Sequence, residues 1–357
     1  MKKLALIISV IFFVIANTQA QDSTKVYYEN AFATLDSMIS GKSPLSFKRA
    51  VYLTENAYLN GQLDYLWFND EIVKLKNLVD NTLKLQHLSY KGIDRDRVEK
   101  YSAIYRVLKD TIIFSLDSAF TFYHFPLTYD FDDIWGKHDW TKMFVSKLLL
   151  TEKGNCHSLP YLYKILAEEY NIPAYLALAP NHIYIKLFNQ KSGWYNTELT
   201  SGTFPLDAWI MASGYIYLEA IQNGLYMDTL SNKQSIAFCM LDLAEGYKHK
   251  FGLSNPKFIF QCTDTALKYY TNSITAMLIK AETQKQIIDK QMKAQNVKSP
   301  KDLFTDNSIK QMFTDMEQTY TKIYTLGYRR MPDDMYLQWM NILQKEREKY
   351  TDNKVIQ

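Results

Sequence analysis

The middle of the chain carries, in order, the residue types that together make a nucleophilic site: Cys156 in "KGNCHSLPYLYK", His182 in "HIYIKLF", and Asn196 with Glu198 in "WYNTELTSG". A cysteine attacks a carbonyl carbon as the thiolate, so it needs surroundings that favour the anion. It also needs a neighbouring base, most often His, and that His needs a third group to fix its tautomer. The chemistry this set would perform is acyl transfer or amide hydrolysis. Cys156 would form the covalent intermediate, His182 would take and return the proton, and Glu198 or Asn196 would orient the ring.

The elements that must position these residues are readable from periodicity. In "SLPYLYKILAEEY" the residues Leu159, Leu162, Ile165 and Leu166 form one apolar face, which predicts a helix ended by Asn171-Ile172-Pro173. Cys156 then lies at the mouth of that helix, where unpaired N–H groups and the positive end of the dipole favour a thiolate. Gly154 allows an abrupt turn into the helix, and Pro160 falls close to the first turn, where a missing N–H costs little. "AYLALAP" and "HIYIKLF" read as strands, the second placing His182, Tyr184 and Lys186 on one side; after "NQKSG", "WYNTEL" reads as the antiparallel return strand. Asn196 and Glu198 share a face of that strand, so whichever pairs across the hairpin with His182 would hold the imidazole.

A helix-borne Cys, a strand-borne His and an acid on the next strand resemble the transglutaminase-like fold of the papain-type cysteine enzymes. Domains of that superfamily commonly carry a tract of the form W-x-x-x-D-x-T-x-G, and here Trp194, Glu198, Thr200 and Gly202 stand at those places, with Glu where Asp is usual. "GNCHSLPYLY" is similar to the "GNC-x-SL" tract of a bacterial transglutaminase-like group that also carries helical repeats. The resemblance covers residues 127–205. It implies an α+β fold, in which the Cys helix packs on a small antiparallel sheet. It also implies a Cys156, His182, Glu198 or Asn196 set acting on a peptide or cell-wall peptide, without a cofactor. The Cys156 backbone N–H would supply one oxyanion donor, and Trp140, Trp135 and Asn155 are candidates for a second. The competing expectation is an inactive domain of the same type that binds peptides or partner proteins.

Residues 125–225 are therefore expected to form the central domain, with helical regions on either side. Residues 21–124 show three- and four-residue apolar spacing, as in Ile72, Leu75, Val79 and Leu83. The helical character extends to about Phe122. Ser43, followed by Pro44, and Asn69 are the expected N-caps of the second and third helices. In residues 226–357, "PKFIFQCTDTALKYYTNSITAMLIKAETQ" resembles a tetratricopeptide-type helix pair continued by a long polar helix. Such repeats hold peptides or partner proteins on concave surfaces, so a protein partner is expected there. Residues 1–20, with Lys2, Lys3, an apolar run from Leu4 to Ile15 and a small-residue exit at Ala20, read as a secretory signal peptide. The run is shorter than the roughly 20 residues needed to span a bilayer as a helix. The expected product is exported, periplasmic or extracellular, with no stable membrane anchor after cleavage.

Composition narrows the partners. With 41 basic and 38 acidic residues and no dense Lys/Arg block, the chain lacks the electrostatic footprint of a nucleic-acid binder. His87, His124, His138 and His249 are scattered and lack metal-ligand spacing, and adjacent helical residues such as Cys156 and His157 point too far apart to chelate. Asp130, Asp132 and Asp133 in "YDFDDIW" lack the Gly and distal Glu of a calcium loop, so a solvated loop is expected. Cys239 and Cys262 lie in apolar tracts, either as buried small hydrophobes or bonded to one another, and Cys156 is left over.

Overall fold

The structure, a computed structural model, describes residues 24–85, 88–115 and 121–352. The expected signal peptide and His87 lie outside the described residues. The fold is a mixed α+β arrangement in which small sheets sit among many helices.

Helix α1 (24–39), α2 (Phe47–Tyr58), α3 (Tyr65–Leu85) and α4 (Arg95–Lys109) come first. The caps differ from expectation. Ser46, not Ser43, accepts from Arg49 N at 3.2 Å and starts α2. Asn69 lies inside α3, and Asp64 accepts from Leu66 N at the helix start. Several short polar residues compete for each start, and the one whose oxygen reaches an unpaired N–H prevails. The helical expectation up to Phe122 also fails. The β-branched and aromatic run around Ile112–Phe114 instead forms β1 (Ile112–Ser115), antiparallel to β2 (Thr121–His124).

Next comes the part that carries the site residues. Strand β3 (Thr128–Tyr129) pairs in parallel with β4 (Lys153–Gly154); between them lie a 3-10 turn (Trp140–Met143) and α5 (Val145–Thr151). Helix α6 (Ser158–Glu169) is buried on every side from Ser158 to Ala167, including Lys164, whose ammonium donates to Ala174 O at 2.8 Å and Asn232 Oδ1 at 3.0 Å. A helix apolar around nearly its whole circumference must be covered all round. Helices α2 to α5 pack against it, as do β5 (Tyr175–Ala179) and β6 (His182–Asn189) of a three-stranded antiparallel sheet completed by β7 (Gly193–Thr197). Asn171 and Asn181 take left-handed backbone, with φ of 51° and 56°, at the end of α6 and in the β5–β6 turn.

After residue 205 the chain forms two short helices, α7 (Asp207–Ser213) and α8 (Leu218–Gln222), separated at Gly214-Tyr215. Helix α9 (Asn232–Phe251) packs on α2 and on α10 (Pro256–Tyr269), whose buried residues join the same core as α6. Helix α11 (Ile274–Gln295) extends away and packs on α12 (Asn307–Thr325), with its own small core of Ala281, Ile288, Leu303, Ile309 and Met316. Helix α13 (Asp333–Asp352) returns to the main core through Tyr336, Trp339, Met340 and Leu343. Cys239 and Cys262 are free and fully buried, so they serve as small hydrophobes and form no disulfide. Among the described residues, no helix is long and apolar enough to cross a membrane.

Candidate functional site

Cys156 stands in a turn built by its neighbours. Asn155 Oδ1 accepts from His157 N at 2.9 Å and Ser158 N at 3.1 Å, while Ser158 Oγ accepts from Asn155 N at 3.0 Å. Asn155 thus caps the start of α6, and Cys156 sits between the cap and the helix. Gly154 fits because a Cβ there would lie 2.7 Å from Ser158 Oγ and 2.9 Å from Leu148 Cδ1. The Cys156 thiol lies 3.8 Å from Asn181 O and 3.7 Å from the Tyr336 hydroxyl.

His182 opens β6, beyond the last rung that pairs β6 with β7. Its Nε2 is 2.6 Å from Glu198 Oε2, and both side chains are buried. Glu198 is itself fixed: Thr200 N donates to its Oε1 at 2.7 Å, and Gly202 N and Thr203 N donate to its carbonyl. Gly202 at φ 69° makes that tight return feasible. This gives the E-x-T-x-G tract a physical role, holding the carboxylate against the ring. Asn196 does not reach His182. Its Nδ2 donates to Asp207 Oδ1 at 2.7 Å and to Pro205 O at 3.0 Å.

With Nε2 engaged, His182 Nδ1 is buried and has no hydrogen-bond partner among the described residues. The ring lies close enough to the Cys156 thiol for each to bias the other's protonation. Burial disfavours the imidazolium, but Glu198 and then Cys156 outweigh it and raise His182 to about 10. Burial likewise works against the thiolate, but His182, Tyr336 and Tyr129 hold Cys156 below the ordinary thiol range. Glu198 is held below the usual carboxylate range against its burial, chiefly by His182. All three shifts run the same way, toward the charged form of each group.

The candidate oxyanion donors fall in different places. Asn155 is occupied by capping, and its Nδ2 points to Met143 Sδ at 3.0 Å. Trp140 stacks on His249 at 4.3 Å, while Trp135 packs on Tyr336 at 5.5 Å between ring centroids. His124 bonds Val107 O at 2.7 Å, and Asp133 accepts three backbone N–H groups of its own loop. Among the described residues, no group of three or more His, Cys, Asp or Glu side chains is arranged to hold a metal ion.

Sequence reasoning missed two sets of residues. Tyr129 and, from α13, Tyr336 and Trp339 surround the thiol and the imidazole; the Trp339 ring lies 4.8 Å from that of His182. The only signal was an apolar stripe at helical spacing in α13. His157 also has a specific role, bonding Asp242 Oδ1 at 3.0 Å and Met143 O at 2.9 Å, while Tyr161 donates to Asp242 Oδ2 at 2.7 Å. No family model matches this chain, and the comparisons with curated proteins and with solved structures find no match.

Proposed function

We propose that the protein is an exported, transglutaminase-like cysteine enzyme that transfers or hydrolyses the acyl group of a peptide or protein amide. The observation that carries this reading is the His182–Glu198 bond at 2.6 Å, which leaves the other ring nitrogen without a partner among the described residues, beside a cysteine whose thiol is held below its ordinary range. In this reading Cys156 attacks the carbonyl carbon and His182 protonates the departing amine. Glu198 keeps the ring in place, and Asn196 serves the neighbouring Asp207 instead. The Cys156 backbone N–H at the helix mouth supports the oxyanion. Water or an amine then takes the acyl group and frees the thiol. A peptide or cell-wall peptide is the substrate class we favour, in the periplasm or outside the cell.

A second reading, an inactive domain of the same type that binds a partner, is favoured by one observation: Cys156 is 7% exposed and His182 2%. Alkylation separates the two. Under the enzyme reading, iodoacetamide near pH 6 modifies Cys156 ahead of Cys239 and Cys262, as located by peptide mass spectrometry, and His182→Ala abolishes the preference. Labelling of Cys156 that is indifferent to His182 excludes the enzyme reading.

A further inference from the structure

The groups that would perform the chemistry are covered by the chain's own last described helix. Tyr336 places its hydroxyl 3.7 Å from Cys156 Sγ, Trp339 lays its ring over His182, and Met340 Sδ accepts from the Tyr129 hydroxyl at 3.7 Å. All three side chains are buried, and Trp135 closes the side by packing on Tyr336. A substrate carbonyl must come within bonding distance of the sulfur and near the imidazole, which is the space that Tyr336 and Trp339 fill.

We propose that α13 is an intramolecular plug, whose Tyr336, Trp339 and Met340 edge occupies the acyl position and keeps the Cys156–His182 pair latent until the helix is displaced. The inference rests on Cys156 being the nucleophile. Displacing the plug would relieve one unpaired polar group. The Trp339 indole N–H of α13 is buried without a hydrogen-bond partner among the described residues, a cost borne only in the closed form. Among the described residues, the outer face of α13 leaves Leu337 and Ile342 exposed. The helix is tethered by a short linker after α12, in which Arg329 and Arg330 are exposed. A short tether keeps the local concentration of the plug high, so that modest affinity suffices to hold it closed. Severing the tether removes that advantage.

The test uses the full chain and the rate at which iodoacetamide modifies Cys156. Trp339→Ala, folded by its far-ultraviolet circular dichroism and cooperative melting, labels at least tenfold faster than wild type; an unchanged rate overturns the plug. Should that variant fail to melt cooperatively, brief trypsin treatment of the wild-type protein serves instead. Hydrolysis of the Arg330–Met331 bond leaves a carboxyl on Arg330 and an amine on Met331. On dilution the cut protein labels faster, and Arg329→Gln/Arg330→Gln protein treated alike does not. An unchanged rate after cutting and dilution overturns the plug. His182→Ala in the opened protein separates this inference from the one beneath it. Fast labelling that ignores His182 upholds α13 as a removable cover over Cys156 and removes the enzyme, and with it the latency of a catalytic pair. Slow labelling in every form that still depends on His182 removes the plug and leaves the enzyme.

Discussion

Glu198→Gln keeps the size of the side chain and an acceptor for His182 Nε2, and removes only the negative charge. The bond concerned is 2.6 Å long, and both partners are buried. Against the opposing effect of burial, Glu198 is the leading influence raising His182 from 6.5 to about 10, ahead of Cys156. Losing the carboxylate therefore lowers the ring back toward 6.5, and each pH unit of that fall is about 1.4 kcal/mol of proton affinity. The sign follows from which form is held. A ring raised in the folded state contributes stability that is fully present below about pH 6.5 and is lost as pH rises through about 10. In the variant that loss is smaller and complete at lower pH. Where pH lies above the variant's lowered ring value but below the wild-type value, the imidazolium is scarcer in the variant, and there the Cys156 thiol moves back up toward the ordinary range. In that window Cys156 alkylation is slower in the variant than in wild type. The assay is the pH profile of Cys156 modification, wild type and variant treated alike, after a urea titration confirms that both are folded. A variant with the wild-type pH profile would refute the electrostatic reasoning.

Two further perturbations test the surroundings. Burial opposes a charged His157, but Asp242 and Met143 O raise it to about 9, so its contribution is complete below pH 6.5 and is lost through pH 9. His157→Gln removes a decline of roughly 3 kcal/mol in unfolding free energy across that window; urea titrations at the two pH values that give equal slopes for variant and wild type would count against it. Gly154→Ala forces a methyl against Ser158 Oγ and Leu148, which disturbs the turn carrying Cys156 and costs about 1–3 kcal/mol. An unchanged urea midpoint would show that the turn yields freely.

Local pattern sufficed where the physics is local. The apolar face of "SLPYLYKILAEEY" and the Asn171-Ile172-Pro173 stop correspond to α6, and period two in β6 put His182 on the face shared with Tyr184 and Lys186. The same parity put Asn196 and Glu198 together and could not choose between them. The choice fell to Asp207 of α7, which takes the Asn196 amide, and to the turn through Thr200 and Gly202, which brings Glu198 to the ring. The misplaced helix up to Phe122 arose where a β-branched run was short enough to read either way.

By itself, then, the sequence determined which residues could react and the periodic elements that hold them, because side-chain direction repeats over a few residues. Tertiary structure alone decided what covers the thiol. The stripe Tyr336, Trp339, Met340 and Leu343 announces that one face of α13 must be buried, but many apolar surfaces would bury it equally well. Its position over Cys156 and His182 depends on the whole chain folding back on itself. Hydrophobic burial is non-directional, so only the assembled packing selects the partner surface.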